Sequence, residues 1–207
     1  MRDAGIGRVL VAALHQSISD VLPDRLGFYE NWLDAKGLRD GTIGLAPLNA
    51  VLSFLRTEGV SYETVTTRAG TYAAEWTIAE LSPLRRQMIV RAPAFFRRTF
   101  ALRIARQLVH QSYTGSRASI RVRRGIGKVD IKSSIFCGVR DRTSHPLCYF
   151  YASAFSTVLR HLDVAASAAV TACQAEGSPS CHVELRLDGP VPPSPEDSID
   201  LQGAPAA

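Results

Sequence analysis

The sequence predicts an α+β fold, with a helical half followed by a small antiparallel sheet of two hairpins that have a helix between them. Three observations carry it. From Ile6 to about Tyr113 the apolar residues recur at helical spacing. Around Ile120, and again from Cys181 to Leu187, they alternate strictly, which is the period of a half-buried strand. Between the last two apolar runs, Glu176-Gly177-Ser178-Pro179 is turn chemistry.

The first helix is expected over Ile6–Leu22, with Leu10, Leu14, Ile18 and Val21 on one face. Pro23 and Asp24 interrupt it, and a second helix from Arg25 to Lys36 carries Phe28, Tyr29, Trp32 and Leu33, with Gly37 as C-cap. Pro47 opens a third helix, bearing Leu48, Val51, Leu52 and Leu55, that closes at Gly59. Tyr62 to Leu81 reads as mainly helical, although Thr64-Val65-Thr66-Thr67 favours locally extended backbone. Ser82-Pro83 restarts a helix that runs to Arg91, and Ala92-Pro93 starts another reaching about Tyr113.

Ser116 to Phe136 reads as a hairpin, with Gly125-Ile126-Gly127 as its turn and Cys137-Gly138 ending its second strand. Pro146 suits the first position of a helix, which places Cys148 in the first turn. Leu147, Tyr151, Ala154, Val158 and Leu162 then form one buried stripe. Val164 to Cys173 and Cys181 to Leu187 make the second hairpin. One domain is therefore expected over residues 1–187, with a Pro- and Gly-rich disordered tail over 188–207.

Composition and charge exclude several function classes. The chain has 207 residues, ample for a core, and its 46% hydrophobic content is ordinary for a globular protein. No uncharged apolar run is long enough for a transmembrane segment. The N-terminus lacks a signal-peptide layout, so its four cysteines are expected as reduced thiols in a cytoplasmic protein. The net charge of +5 is unevenly spread: no acidic residue lies between Leu81 and Val129, while arginines recur from Arg85 to Arg124. The basic segment fits a solvated face turned toward the acidic remainder, an acidic protein partner, or an anionic and mostly apolar ligand. Nucleic acid is not expected, because there is no helix-turn-helix, zinc-finger or RNP signature and the aromatics keep helical spacing. No dinucleotide fingerprint, Gly-x-Ser-x-Gly elbow or HExxH spacing occurs, so no catalytic residue is identified and enzyme status stays open.

The run Pro146-Leu147-Cys148-Tyr149-Phe150-Tyr151-Ala152-Ser153-Ala154-Phe155, followed by Cys173-Gln174-Ala175-Glu176-Gly177-Ser178-Pro179-Ser180-Cys181, resembles the end of a 4-vinyl reductase domain. That family belongs to a wider group of small-molecule-binding domains, with the sensor modules of aromatic-responsive activators, haem-based nitric-oxide sensors and TRAPP tethering subunits. In length and layout the chain is most similar to the bacteriochlorophyll 4-vinyl reductase type. In the zinc-bearing sensor modules, three cysteines at the positions of Cys148, Cys173 and Cys181 are joined by a glutamate three residues before the second cysteine. Val170 stands there in this chain. The resemblance therefore implies an incomplete ligand set, the three cysteines close in space, and substoichiometric or no zinc. Cys137, Glu176 and His182 are the candidate substitutes, although His182 should point away from Cys181 on a regular strand.

The resemblance also implies a binding protein that holds a hydrophobic anionic small molecule, such as a tetrapyrrole intermediate of bacteriochlorophyll synthesis, as carrier or accessory factor. Trp76, Phe96, Phe100 and Tyr149 are expected to floor an apolar cavity, with Arg103 and Arg106, or Arg121 and Arg123, at its mouth. His110 is a candidate haem or chlorin ligand, since haem sensors of the wider group use a helical histidine. Two alternatives stand beside this reading: a vinyl reductase whose reductant comes from a partner, and a dimeric adaptor. Similar domains pair through their helical part, so a homodimer is expected through Phe28, Trp32, Leu38, Leu48, Phe54 and Leu55.

Overall fold

The small residues of one long helix explain how the two halves of the chain meet. A computed structural model describes residues 5–33, 44–138 and 142–187. Among them are seven α-helices: α1 (Arg8–Val21), α2 (Leu26–Glu30), α3 (Leu45–Thr57), α4 (Val60–Ala79), α5 (Pro83–Arg91), α6 (Ala94–Ser112) and α7 (Tyr149–His161). The strands are β1 (Arg117–Arg123), β2 (Ile126–Lys132), β3 (Ser167–Ala172) and β4 (Cys181–Arg186), forming one antiparallel sheet in the order β1-β2-β4-β3. The α+β class is as the sequence predicts. The two hairpins join edge to edge, with Val129 of β2 opposite Val183 of β4.

Helix α4 buries Ala69, Gly70, Ala73 and Ala74, which let its backbone approach α7 closely. A Cβ on Gly70 would run into the Phe150 carbonyl oxygen. Thr71 Oγ1 and Ser153 Oγ are 2.9 Å apart across the same contact, and Tyr62 Oη donates to the Leu147 carbonyl at 2.9 Å. On the other side of α4, the Ser17 hydroxyl of α1 donates to the Val65 carbonyl at 2.6 Å. Leu147, Tyr151, Ala154, Val158 and Leu162 are all buried, as their spacing predicts. Phe136 and Phe150 stack with centroids 5.0 Å apart between α7 and the sheet side of the core.

Local differences from the sequence reading have identifiable causes. Thr64 to Thr67 stay helical inside α4, since burial of Val65 and Thr66 overrides their β preference. The β1–β2 turn is Arg124-Gly125, both at positive φ (51° and 77°), while Ile126 and Gly127 already belong to β2. This two-residue geometry suits the right-handed twist of a hairpin. Strand β2 ends at Lys132, and Ile135–Cys137 forms a single 3-10 turn in place of further strand. Helix α7 starts at Tyr149, so Cys148 is the residue before the helix and not in its first turn. After Glu30 only residues up to Leu33 of the expected second helix are described, and Lys36, Gly37 and the 188–207 tail lie outside the described residues. Among the described residues, no helix is long and apolar enough to cross a membrane.

Replacing Gly70 by Ala should lower the Tm by a few degrees, up to roughly 8 °C, because the overpacking cost of about 1–3 kcal/mol exceeds the helix-propensity gain of about 1 kcal/mol. An unchanged or higher Tm would show that α4 and α7 can separate without loss.

Candidate functional site

All four cysteines of the chain meet at the junction of the two hairpins with α7. Cys137 ends the 3-10 turn after β2, and Cys148 precedes α7. Cys173 follows β3, and Cys181 begins β4. Each sits at the end of an element, where the backbone is free to turn its side chain inward. The four sulfurs lie within 4.8 Å of one another. Cys137 Sγ is 3.0 Å from Cys148, 3.3 Å from Cys173 and 3.4 Å from Cys181. Cys148 Sγ is 3.4 Å from Cys173 and 2.9 Å from Cys181.

All four are free thiols, and these separations are well beyond the roughly 2.05 Å of a disulfide. A tetrahedron of thiolates about 2.3 Å from a zinc ion has sulfur–sulfur edges of about 3.8 Å, so a small outward shift of each sulfur produces it. Two backbone N–H groups already point at the sulfurs: Leu147 donates to Cys173 Sγ at 3.3 Å, and Gln174 to Cys181 Sγ at 3.4 Å. Such bonds favour the thiolate. The Cys173 thiol is pushed far below its ordinary range by hydrogen bonds from Cys137 first, then Cys148 and Cys181, with the Leu147 N–H adding to them. The Cys148 thiol is pushed up, chiefly by its contact with Cys137. The donor set fits zinc, or iron, in an all-sulfur tetrahedron. With four protein ligands such a centre has no open position, which is the pattern of a structural site.

The incomplete set expected from the sequence is thereby corrected. Cys148, Cys173 and Cys181 do come together, and Cys137 is the fourth member, so the reason for expecting little or no zinc falls away. Val170 packs against the core from β3, beside a register shift between Val170 and Ala172. Glu176 is exposed, and His182 lies opposite Asp130 with its Nε2 3.2 Å from Ser180 Oγ, so neither joins the sulfurs. Arg56 Nη2 donates to the Phe136 carbonyl at 2.9 Å, which brings a cation next to Cys137. Nothing in the sequence marks Arg56, which lies far away along the chain on α3.

The expected ligand residues are divided among several places. Trp76 stacks on Tyr72, with centroids 5.8 Å apart, near the C-terminal end of α4. Tyr149 lies beside Glu63 at the other end of α4, with its hydroxyl pKa raised first by burial and then by Glu63. The two ends are roughly 20 Å apart along a helix of this pitch, so Tyr149 and Trp76 do not floor one cavity. Phe96 and Phe100 are 54% and 40% exposed at the start of α6, and Arg103, Arg106 and His110 are exposed further along it. The His110 Nδ1 is 3.5 Å from the Ser116 carbonyl oxygen. Arg121 and Arg123 project from β1 on the sheet face opposite its half-buried Ile120, with Arg121 in register with Lys128. A shallow hollow of about 270 Å³ lies among Lys128, Thr171, Ala172, His182, Val183 and Glu184, and contains none of the expected ligand residues.

No protein-family model matches the chain, and no curated protein matches it. Among solved structures, it is similar to the phenol-responsive sensory domain of the transcription activator PoxR with phenol. That match has 15% identity and a TM-score of 0.49, covering 70% of this chain and 74% of that one. It is also similar to trafficking protein particle complex subunit 3 from Naegleria fowleri, covalently bound to palmitic acid. There the identity is 12% and the TM-score 0.43, covering 80% of this chain and 96% of that one.

Protein purified without chelator should carry one zinc per chain by elemental analysis, and Cys137→Ser should lose it. The loss of affinity should exceed the roughly 10- to 100-fold typical of a missing supporting hydrogen bond. Metal-free wild-type protein that keeps its Tm would remove the four-thiol centre from the account.

Proposed function

We propose that the chain is a small-molecule-binding protein whose sheet and last helix are pinned together by a structural zinc ion held by Cys137, Cys148, Cys173 and Cys181. The metal would supply cohesion and no reactivity, because four thiolates leave it no site for water or substrate. Ligand binding is then assigned elsewhere, to α6.

The observation that carries the ligand reading is one exposed stripe of that helix. Phe96, Phe100, Arg103 and His110 follow one another at offsets of four, seven and fourteen residues from the first, which keeps them on one side of an α-helix. The stripe is apolar at its start and basic toward its end. It suits an amphiphilic anion lying along the helix, with its apolar body on Phe96 and Phe100 and its acidic group at Arg103, flanked by Arg106. The resemblance to 4-vinyl reductase domains suggests a tetrapyrrole carboxylate as that ligand, carried or presented to another protein. Vinyl reduction by this chain would need a reductant from a partner, since its sequence has no dinucleotide fingerprint.

Phe100→Ala should weaken binding of a porphyrin carboxylic acid and of its neutral ester equally, leaving salt dependence unchanged. Arg103→Ala with Arg106→Ala should weaken the acid selectively, by roughly tenfold to a hundredfold, the value of a charge-assisted contact of about 1.5–3 kcal/mol. Equal loss of acid and ester in the arginine variant would sink the anionic-ligand reading.

A dimeric adaptor is favoured by a second observation. Phe28, Trp32 and Phe54 are 42%, 41% and 40% exposed and form one aromatic cluster, with Phe28–Phe54 and Trp32–Phe54 centroids 5.0 Å and 5.9 Å apart. Leu48 and Leu55 are fully buried within the chain and unavailable to a partner, which corrects that part of the expected dimer face, and Leu38 lies outside the described residues. Light scattering at micromolar concentration should give a dimer mass that Trp32→Ser with Phe54→Ser reduces to the monomer. A monomeric wild-type protein would count against pairing here.

A further inference from the structure

Helix α5 is built the wrong way round for a helix that only covers a core. Its one buried residue is Ile89, and Arg85 and Arg86 stand one turn before it. Leu84 and Met88, also one turn apart, are instead 74% and 75% exposed. Directly after the Ala92-Pro93 link, Phe95 and Phe96 open α6 at 74% and 54% exposure, their rings 5.6 Å apart and edge to face. The Arg97 Nη1 donates to the Val90 carbonyl at 3.0 Å and ties the start of α6 back to the end of α5. Four large apolar side chains therefore stand in solvent within one short segment.

The charge around them has one sign. Arg85, Arg86 and Arg91 are exposed among these apolar residues, and no acidic residue occurs from Leu81 through Val129. Two copies of this chain meeting at this face would bring like charges together, which opposes self-association. A nucleic acid would satisfy the arginines but leave Leu84 and Met88 in water. An anionic bilayer satisfies both classes at once: its headgroups take the arginines, and its acyl boundary takes the leucine, methionine and phenylalanines. We propose that α5 and the first turn of α6 form a peripheral docking surface for an anionic lipid bilayer. No described helix spans a membrane, so the attachment is superficial and reversible. It shares Phe96 with the ligand stripe, so docking here would set that stripe beside the bilayer, while Leu84, Met88, Phe95 and the three arginines lie outside it.

The test is sedimentation of the full chain with vesicles of phosphatidylcholine mixed with phosphatidylglycerol, and with vesicles of phosphatidylcholine alone. Wild-type protein should bind the mixed vesicles and not the neutral ones, and should be released by salt. Leu84→Ser with Met88→Ser and Phe95→Ser should reduce binding by about a hundredfold or more, and Arg85→Gln with Arg86→Gln and Arg91→Gln by about a hundredfold. All six positions are exposed, and circular dichroism confirms that each variant folds. Porphyrin affinity should be unchanged in both variants, which separates this surface from the ligand site. Absence of binding to mixed vesicles overturns the proposal, as does full binding by the apolar variant, which would mean adsorption by charge alone. A fall in solution mass caused by the apolar variant also overturns it, in favour of a second copy on this face.

Discussion

Gly70 is where α4 and α7 meet backbone to backbone, and the positions of both halves follow from that contact. Any side chain there would collide with the Phe150 carbonyl oxygen, so the helices could not close to the distance that Ala69, Ala73 and Ala74 otherwise permit. With α7 held against α4, its leading residues are held too: Tyr62 of α4 grips the Leu147 carbonyl, the residue immediately before Cys148. The opposite side of α4 receives α1 through the buried Ser17–Val65 bond. One helix of small residues therefore serves as the bearing surface for the N-terminal helices and for the helix that covers the sheet.

The cysteine cluster answers a different need. The loop leaving β2, the start of α7 and the β3–β4 connection all converge at one point. Apolar side chains could fill that space, but they would not fix its geometry. Four sulfurs within 4.8 Å, with two backbone N–H donors aimed at them, offer directional cross-links between segments distant in sequence. Val170 of β3 packs against the core, and the fourth sulfur comes from Cys137 in the 3-10 turn after β2.

The surfaces are divided as clearly as the core. Aromatic exposure at Phe28, Trp32 and Phe54 belongs to the N-terminal helices, and exposure at Leu84, Met88, Phe95 and Phe96 belongs to the arginine-rich segment. The first carries rings packed on one another, a geometry suited to another protein surface. The second mixes aliphatic side chains with arginine, which suits a charged and apolar boundary.

Much of the architecture was legible in the sequence because it rests on local periodicity. The stripe from Leu147 to Leu162, the alternation from Cys181 to Leu187 and the breaks at Pro83 and Pro93 each depend on neighbours within a few residues. The β1–β2 turn lies one residue earlier than its glycines suggest, since nothing in the sequence marks Arg124 as the residue that adopts positive φ. Cys137 could be named as a substitute ligand, along with Glu176 and His182, but choosing among them required knowing which loops converge. For the same reason, spacing in sequence does not reveal that Trp76 and Tyr149 are separated by the length of α4. Sequence alone determined the helices, the strands and the polarity of the basic segment, because these follow from short-range pattern. Tertiary structure decided the fourth thiol and which apolar side chains stay in water, because both depend on long-range packing of the whole chain.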